Sequence, residues 1–313
     1  MQNYQYGQAL DCINGLSVES QSHSFTVVKA KALKGLNRFG EAIPFFEQLL
    51  KEDNKNLSVI ISLADCYMSV ADCADARLYY HQALTLNPEN GYLFQQMADA
   101  YYMDEDFSAA VHWYKKALQS DSSYYLSKQL ARSYEKLDVQ DTAIFFYQRA
   151  VELNPRDFHS SYRLSDLLRQ ANDLESAIDV AESYLQIDSV KLKMVKYNAY
   201  LHYLQKDYPG ALEGFRKCLV LGDESEFTHK FLGYSYFRTG EYDVAMIHLE
   251  KAFRTDTANV NLCYVLGLSS DYSEHEKKAI TYLRKTLDLT IPPPDFLSQV
   301  YQDLAAACTD NGD

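Results

Sequence analysis

The chain has 313 residues, with 30 basic and 43 acidic side chains, a formal net charge of −13 and one tryptophan. That balance repels nucleic-acid phosphates and anionic lipid unless cations gather locally, so no nucleic-acid partner is expected. No run of about 18 apolar residues is present, so direct membrane insertion is not expected either. The six cysteines, Cys12, Cys66, Cys73, Cys218, Cys263 and Cys308, form no CxxC pair or Cys/His knuckle spacing and read as free and mostly buried. Met1-Gln-Asn-Tyr-Gln-Tyr6 lacks the basic and apolar regions of a signal peptide, so the cytoplasm is the expected compartment, with export behind a removed leader as the alternative.

An alanine recurs at Ala9, Ala42, Ala76, Ala110, Ala143, Ala177, Ala211, Ala245 and Ala279, at intervals of 33 or 34 residues. Twelve positions upstream a second small residue keeps the beat: Ala30, Ala64, Ala98, Ala131, Ser165, Ala199, Gly233 and Gly267. Two small sites per period predict two helices in close contact. Four residues beyond the first alanine lies a large apolar side chain (Phe46, Tyr80, Tyr114, Tyr147, Phe215, Leu249, Leu283), and three further on another small one (Ala83, Ala117, Ala150, Cys218, Ala252). Spacing of i, i+4 and i+7 is one face of a helix.

With this period and these small positions the chain resembles the tetratricopeptide repeat family over nearly its whole length. Gly240-Glu-Tyr-Asp-Val-Ala245 and Ala83-Leu-Thr-Leu-Asn-Pro88 look like the family's turn and helix end. The resemblance implies an all-α, right-handed α-α superhelix (a TPR solenoid) of about eight full helix-turn-helix repeats with partial repeats at both ends.

In chain order, residues 1–22 read as a partial N-terminal repeat, its Asn3–Leu10 matching a second helix. Full repeats follow at about 23–56, 57–90, 91–123, 124–157, 158–191, 192–225, 226–259 and 260–293. Several departures stand out. Trp113 falls at repeat position 23 and the family's tryptophan at position 4 is missing. The proline after the second helix survives only as Pro88 and Pro155, with Asn54, Ser122, Ser189, Asp223 and Thr257 elsewhere. The fifth repeat exchanges sizes, with Ala181 where others have a ring and Tyr184 where others have alanine; total volume is kept, which predicts local repacking. Ile291-Pro-Pro-Pro294 predicts a longer loop before a C-terminal helix within 294–313. Two half-repeats do not supply the polar caps that solenoids need, so a longer parent protein or self-association through the open ends is expected.

Catalytic chemistry is not visible. The eight histidines are scattered without HExxH or a tight metal pair, and no phosphate loop or nucleophile motif occurs; no metal, no cofactor and no enzymatic activity are expected. Carboxylates such as Glu41 and Asp104-Glu-Asp106 fall at turns, where acids favour the next helix N-terminus.

In the family the first helices line a concave face, with repeat positions 2, 5, 9 and 12 pointing into it. Carried onto this sequence, these positions place Lys128, Arg132, Tyr162, Arg169, Lys193, Lys196, Tyr200, Tyr203, Phe227, Lys230, Tyr234, Phe237 and Tyr264 as the partner-binding residues. Cations interleaved with rings point to a protein or peptide ligand carrying acidic and apolar side chains. Rings packed only against adjacent repeats are the structural alternative, given 26 tyrosines. A chaperone-tail carboxylate clamp is disfavoured because position 9 carries no asparagine. The expected function is a non-catalytic scaffold or adaptor holding a partner's peptide or helix; the alternatives are a docking or regulatory arm of a larger enzyme or secretion machine, and an RNA-binding helical repeat, against which Asp65, Asp99 and Asp166 on the same wall argue.

Overall fold

The computed structural model describes residues 6–8, 23–120, 123–289 and 294–310. The partial repeat at 1–22 with Cys12, the Ser122 linker, the loop at 291–293 and the final 311–313 lie outside the described residues, apart from the helical 6–8. The chain divides into two compact units, Met1–Asn154 and Pro155–Asp313.

Every regular element among the described residues is helical. Unit 1 holds α1 (His23–Gly35), α2 (Phe39–Glu52), α3 (Leu57–Ser69), α4 (Cys73–Leu86), α5 (Gly91–Met103), α6 (Phe107–Ser120), α7 (Tyr124–Lys136) and α8 (Gln140–Leu153). Unit 2 holds α9 (Phe158–Gln170), α10 (Leu174–Ile187), α11 (Leu192–Leu204), α12 (Tyr208–Val220), α13 (Glu226–Thr239), α14 (Tyr242–Phe253), α15 (Val260–Tyr272), α16 (Glu276–Leu289) and α17 (Pro294–Asp310). Odd-numbered helices open each hairpin and even-numbered helices close it.

The hairpins close where the small residues meet. Ala42, Ala76, Ala110, Ala143, Ala177, Ala211, Ala245 and Ala279 are all fully buried. At Gly233 an added Cβ would lie 2.6 Å from Leu249, and in the fifth repeat Ser165 Oγ donates to the Ala177 carbonyl at 2.7 Å. One turn on, Phe46, Tyr80, Tyr114, Tyr147 and Phe215 are among the largest fully buried side chains, each contributing about 2–3 kcal/mol by leaving water. In the fifth repeat Ala181 and Tyr184 are both buried, and Tyr184 meets Phe158 edge-on at 5.6 Å, so the exchanged sizes repack locally within an unbroken α10. Cys66, Cys73, Cys218 and Cys263 are free and buried, and Cys308 is free and half-buried.

Each hairpin turn uses one backbone device. The residue after the first helix's C-cap takes positive φ at Asn37, Ala71, Glu105, Asp138, Asn172, Lys206, Gly240 (itself the C-cap of α13) and Glu274. The next N–H then reaches back to the carbonyl five residues earlier, as in Asp72 to Tyr67 (2.9 Å), Asp207 to His202 (2.9 Å) and Glu241 to Tyr236 (2.9 Å). This is the 6→1 bond of a Schellman ending, which supplies carbonyls the helix leaves without partners. Asp72, Asp106, Asp173 and Asp207 then accept from the first turn of the following helix.

Only one of the eight turns has glycine at that place, and a side chain with positive φ costs roughly 1 kcal/mol. Replacing Ala71 or Lys206 by Gly is expected to stabilise the chain by about 0.5–1 kcal/mol each, measured as a rise in the denaturation midpoint, whereas Gly240→Ala should lower it by a similar amount.

In unit 2 the first helices α11, α13, α15 and α17 come into contact in succession, while the second helices show no comparable approach to one another. The first-helix side of this unit is therefore the more tightly gathered face.

Candidate functional site

Tyr200 and Tyr203 stand on α11, Phe227, Phe231, Tyr234 and Phe237 on α13, and Tyr264 on α15, all half-buried and, apart from Tyr264, packed on the same unit 2 core. Phe231 is the hub: its ring centroid lies 4.9 Å from Tyr200, 5.0 Å from Tyr203, 4.6 Å from Phe227 and 6.1 Å from the buried Phe215. Tyr203 also approaches Tyr234, at 6.3 Å.

Beyond this cluster opens a cavity of about 320 Å³ lined by Tyr203, Tyr234, Phe237, Arg238, Asn261, Tyr264, Val265 and Phe296. Its walls come from α11, α13, α15 and α17, all on the first-helix face. Tyr264 is anchored by its hydroxyl, which donates to Asp303 at 2.7 Å, and by Phe296 edge-on at 5.1 Å. Burial pushes the Tyr234 phenol well above its ordinary range; burial also raises Tyr203, partly offset by the Arg238 guanidinium. Both hydroxyls are therefore protonated donors at neutral pH. Rings, two phenols, an amide and a guanidinium around a cavity of this size can hold an apolar side chain and orient it through polar atoms at the edge.

Of the residues read from the sequence, Tyr203, Tyr234, Phe237 and Tyr264 converge on this cavity, while Tyr200 and Phe227 stand beside it in the cluster. The cations behave differently. Lys196 pairs with Asp223 at 3.0 Å, Lys230 with Glu226 at 2.8 Å and Arg169 with Asp166 at 2.8 Å. Lys193 lies 4.3 Å over the Tyr162 ring. In unit 1, Lys128 sits 5.8 Å over Tyr124, and Arg132 lies 5.1 Å over Tyr102 while donating to Gln129 at 3.1 Å. These cations are engaged within the chain, so they do not form an open positive wall. The guanidinium at the cavity is Arg238, at repeat position 13, one place beyond the positions that the family pattern assigns to the groove.

Models of the tetratricopeptide repeat match residues 61–125 and 143–190 in one form and 27–56 and 231–259 in another, together more than half of the chain. The chain is a tetratricopeptide repeat protein. It is similar to tetratricopeptide repeat protein 21B of Homo sapiens (25% identical over 198 residues, 55% of this chain and 15% of that protein). It is also similar to a TPR repeat-containing protein of Methanocaldococcus jannaschii (22% over 317 residues, 91% and 55%). The chain thus spans between about one seventh and just over half of the length of these relatives. Among solved structures, the C-terminal part of a TPR repeat-containing protein from Cytophaga hutchinsonii superposes with a TM-score of 0.60 at 14% identity, covering 77% of this chain and 98% of that one. The TPR protein YrrB, described as having an unusual peptide-binding site, gives 0.50 at 21% identity, covering 58% and 95%. These likenesses show the fold. TPR arrays are scaffolds for protein–protein interaction and are generally non-catalytic.

In unit 1 this TPR protein uses its tyrosines for internal closure. Tyr80 and Tyr92 both donate to Asp65 Oδ1, at 2.8 and 3.0 Å; Tyr114 and Tyr125 both donate to Asp99 Oδ1, at 2.5 and 2.9 Å; Tyr147 donates to Glu135 at 2.9 Å. In unit 2, Asp166 is held by Arg163, Arg169 and Tyr197. The carboxylates that stood on the expected inner wall are thus largely engaged by phenols and guanidiniums. The sequence carried a partial signal for this: Tyr80 and Tyr114 at position 24 accompany Asp65 and Asp99 at position 9, whereas Tyr147 accompanies Arg132 and finds its carboxylate at position 12, Glu135. Burial raises the Asp99 pKa despite its phenol donors. Asp99→Asn keeps an acceptor for both hydroxyls and removes the buried charge, so equilibrium unfolding at neutral pH should find it neutral or more stable by up to about 1 kcal/mol, whereas Asp99→Leu should lose about 2–3 kcal/mol.

Unit 2 of the TPR protein also holds a histidine pair. His229 Nδ1 and His248 Nδ1 lie 3.0 Å apart, so one donates and the other accepts, and His229 Nε2 meets Glu224 at 2.8 Å. His248 stacks on Tyr236 at 5.7 Å. Burial and then the neighbouring His229 push His248 down to about 4. Between the ordinary histidine pKa near 6.5 and that value the unfolded chain binds the proton that the folded chain refuses, so this group makes stability fall as pH drops through that window. His248→Phe, which retains a ring over Tyr236, should flatten the decline between about pH 6.5 and 4 by roughly 2 kcal/mol in pH-dependent denaturation. Among the described residues no group of three or more His, Cys, Asp or Glu is placed to hold a metal ion, and no helix is long and apolar enough to cross a membrane.

Proposed function

We propose that the first-helix face of unit 2 is the partner-binding site of this scaffold, with the repeat register given above. An extended peptide or a helix of a partner protein seats one apolar or aromatic side chain between Tyr203, Tyr234, Phe237 and Tyr264, and sets a carboxylate against Arg238. Supporting this reading above all is the roughly 320 Å³ cavity that four consecutive first helices build from rings with polar edges. Half-buried aromatics with donor hydroxyls are the usual anchors of interfaces, because large area is covered at small entropic cost. Asn261 offers a donor and an acceptor at the same edge, matching a peptide backbone.

Acidity in the partner enters here through Arg238, since Lys193 lies over the Tyr162 ring and Lys196 and Lys230 are paired within the chain. An array of immobilised peptides separates this reading from a merely structural role for the rings. Peptides retained by the intact chain should share a large apolar or aromatic residue next to an acidic one. The Tyr234→Ala/Phe237→Ala variant, with helicity checked by circular dichroism, should lose about tenfold or more in retention. A binding profile unchanged in that variant overturns the proposal.

A further inference from the structure

Comparison of equivalent positions singles out the sixth repeat. Position 7 is Leu or Met in repeats two to five, seven and eight (Leu63, Met97, Leu130, Leu164, Leu232, Leu266) and is Asn198 in the sixth. Position 23 carries Phe45, Tyr79, Trp113, Phe146, Val180, His248 or Tyr282 elsewhere and is Gly214 here. In three repeats the position-11 and position-23 rings stack: Tyr67 on Tyr79 at 5.6 Å, Tyr134 on Phe146 at 5.7 Å, and Tyr236 on His248 at 5.7 Å. In the sixth repeat the pair is His202 and Gly214, so the histidine has no such ring.

These departures meet at one place. A cavity of about 340 Å³ opens between α10 and α12, the second helices of repeats five and six, lined among others by Glu182, Asn198, His202, Glu213, Gly214 and Lys217. Asn198 Oδ1 is buried without a hydrogen-bond partner. Both nitrogens of His202 are engaged by carboxylates, Nδ1 with Asp207 at 2.8 Å and Nε2 with Glu182 at 3.3 Å, which fixes the ring plane. Lys217 offsets one of the carboxylates and the lining stays net negative.

Elsewhere the chain fills this kind of place itself. Arg216, at position 25 of the sixth repeat, lies 5.1 Å over the position-11 ring of Tyr236 in the next; Lys115, at position 25 of the third, lies 5.5 Å over Tyr134; Arg77 lies 4.7 Å over Tyr101. At the fifth-to-sixth junction position 25 is Glu182, a carboxylate as Glu47 and Glu250 are in their repeats, where the third and sixth repeats place a cation.

We propose that this cavity receives a guanidinium group, presented as an arginine side chain of a partner protein. Its plane lies against the His202 ring within this cavity, beside Gly214, which itself packs closely on Ala199, and its N–H donors go to Glu182, Glu213 and Asn198 Oδ1. Guanidinium is the cation that fits, because it is planar, stacks on rings and offers five donors in a fork that matches carboxylates, whereas an ammonium is a compact point charge. The site lies on the second-helix side and stands independently of the first-helix cavity.

The test is an NMR titration of the whole chain with the peptide acetyl-Gly-Arg-Gly-amide, its lysine and citrulline analogues, and agmatine. The arginine peptide should shift His202 and Ala199 resonances saturably in the millimolar range, with the citrulline and lysine analogues about tenfold or more weaker. Glu182→Arg restores an internal cation at an exposed position and should abolish the shifts, and Asn198→Leu should weaken binding by about tenfold. Tyr234→Ala/Phe237→Ala should leave them unchanged, so failure here and failure of the first-helix site are told apart. Absent shifts at His202, equal binding of citrulline or lysine, or undiminished binding to Glu182→Arg overturn the site. Agmatine binding more tightly than the peptide assigns the cavity to a small guanidine and overturns the partner arginine.

Discussion

The constraint on which the structure rests is the close approach of two helices at a small residue. Alanine at position 20 is fully buried in all eight hairpins, and position 8 is alanine, serine or glycine opposite it. Protein interiors are packed too densely to absorb added volume there, as the 2.6 Å clearance at Gly233 illustrates. Once that contact fixes the crossing, the position-24 ring must point into the hairpin, and the remaining faces of the first helix are assigned by helical geometry alone.

With the backbone so constrained, the two units spend their tyrosines differently. In unit 1 a tyrosine on the second helix and another on the next first helix converge on one aspartate, so hydroxyl, carboxylate and hairpin interface are consumed together. Around the unit 2 cavity position 9 is Tyr200, Tyr234 or Leu268, and position 24 is Phe215, Leu249 or Leu283. With no carboxylate at position 9, the rings of Tyr200, Tyr203 and Tyr234 collect around Phe231, and Tyr264 is held instead by Asp303. The same repeat thus serves as an internal clasp in one unit and as an aromatic surface in the other through exchanges at two positions.

Much of this was legible in the sequence, for a physical reason. Burial at positions 8, 20, 24 and 27 follows from helix periodicity, so Ala76, Tyr80 and Ala83 were identifiable without coordinates. The site was only partly legible. A rule naming positions 2, 5, 9 and 12 includes the cavity-lining Tyr203, Tyr234, Phe237 and Tyr264 but passes over Phe231 at position 6, in the adjoining cluster, and Arg238 at position 13, on the cavity wall. The ion pairs of the lysines were not legible for another reason: Lys196 and Lys230 meet Asp223 and Glu226, and such pairs depend on linker conformation and side-chain reach. The positive φ at Ala71 or Lys206 left no residue-type signal, because closure of the hairpin enforces what glycine would otherwise favour.

Periodicity also turns exceptions into measurements. In a globular core an asparagine, a histidine and a glycine near one another have no reference state. In an array each has seven counterparts in nearly the same surroundings. Replacing a core leucine by Asn198 forfeits apolar burial and leaves a buried acceptor with no bond, which nothing in the sixth repeat repairs, whereas Gly214 lets α12 close onto Ala199, where an added Cβ would lie 2.6 Å away. Repeat five, by contrast, repairs its exchange, with Tyr184 restoring the volume that Ala181 gives up. An unpartnered acceptor that opens onto a cavity is where an interaction outside the chain supplies what the fold does not.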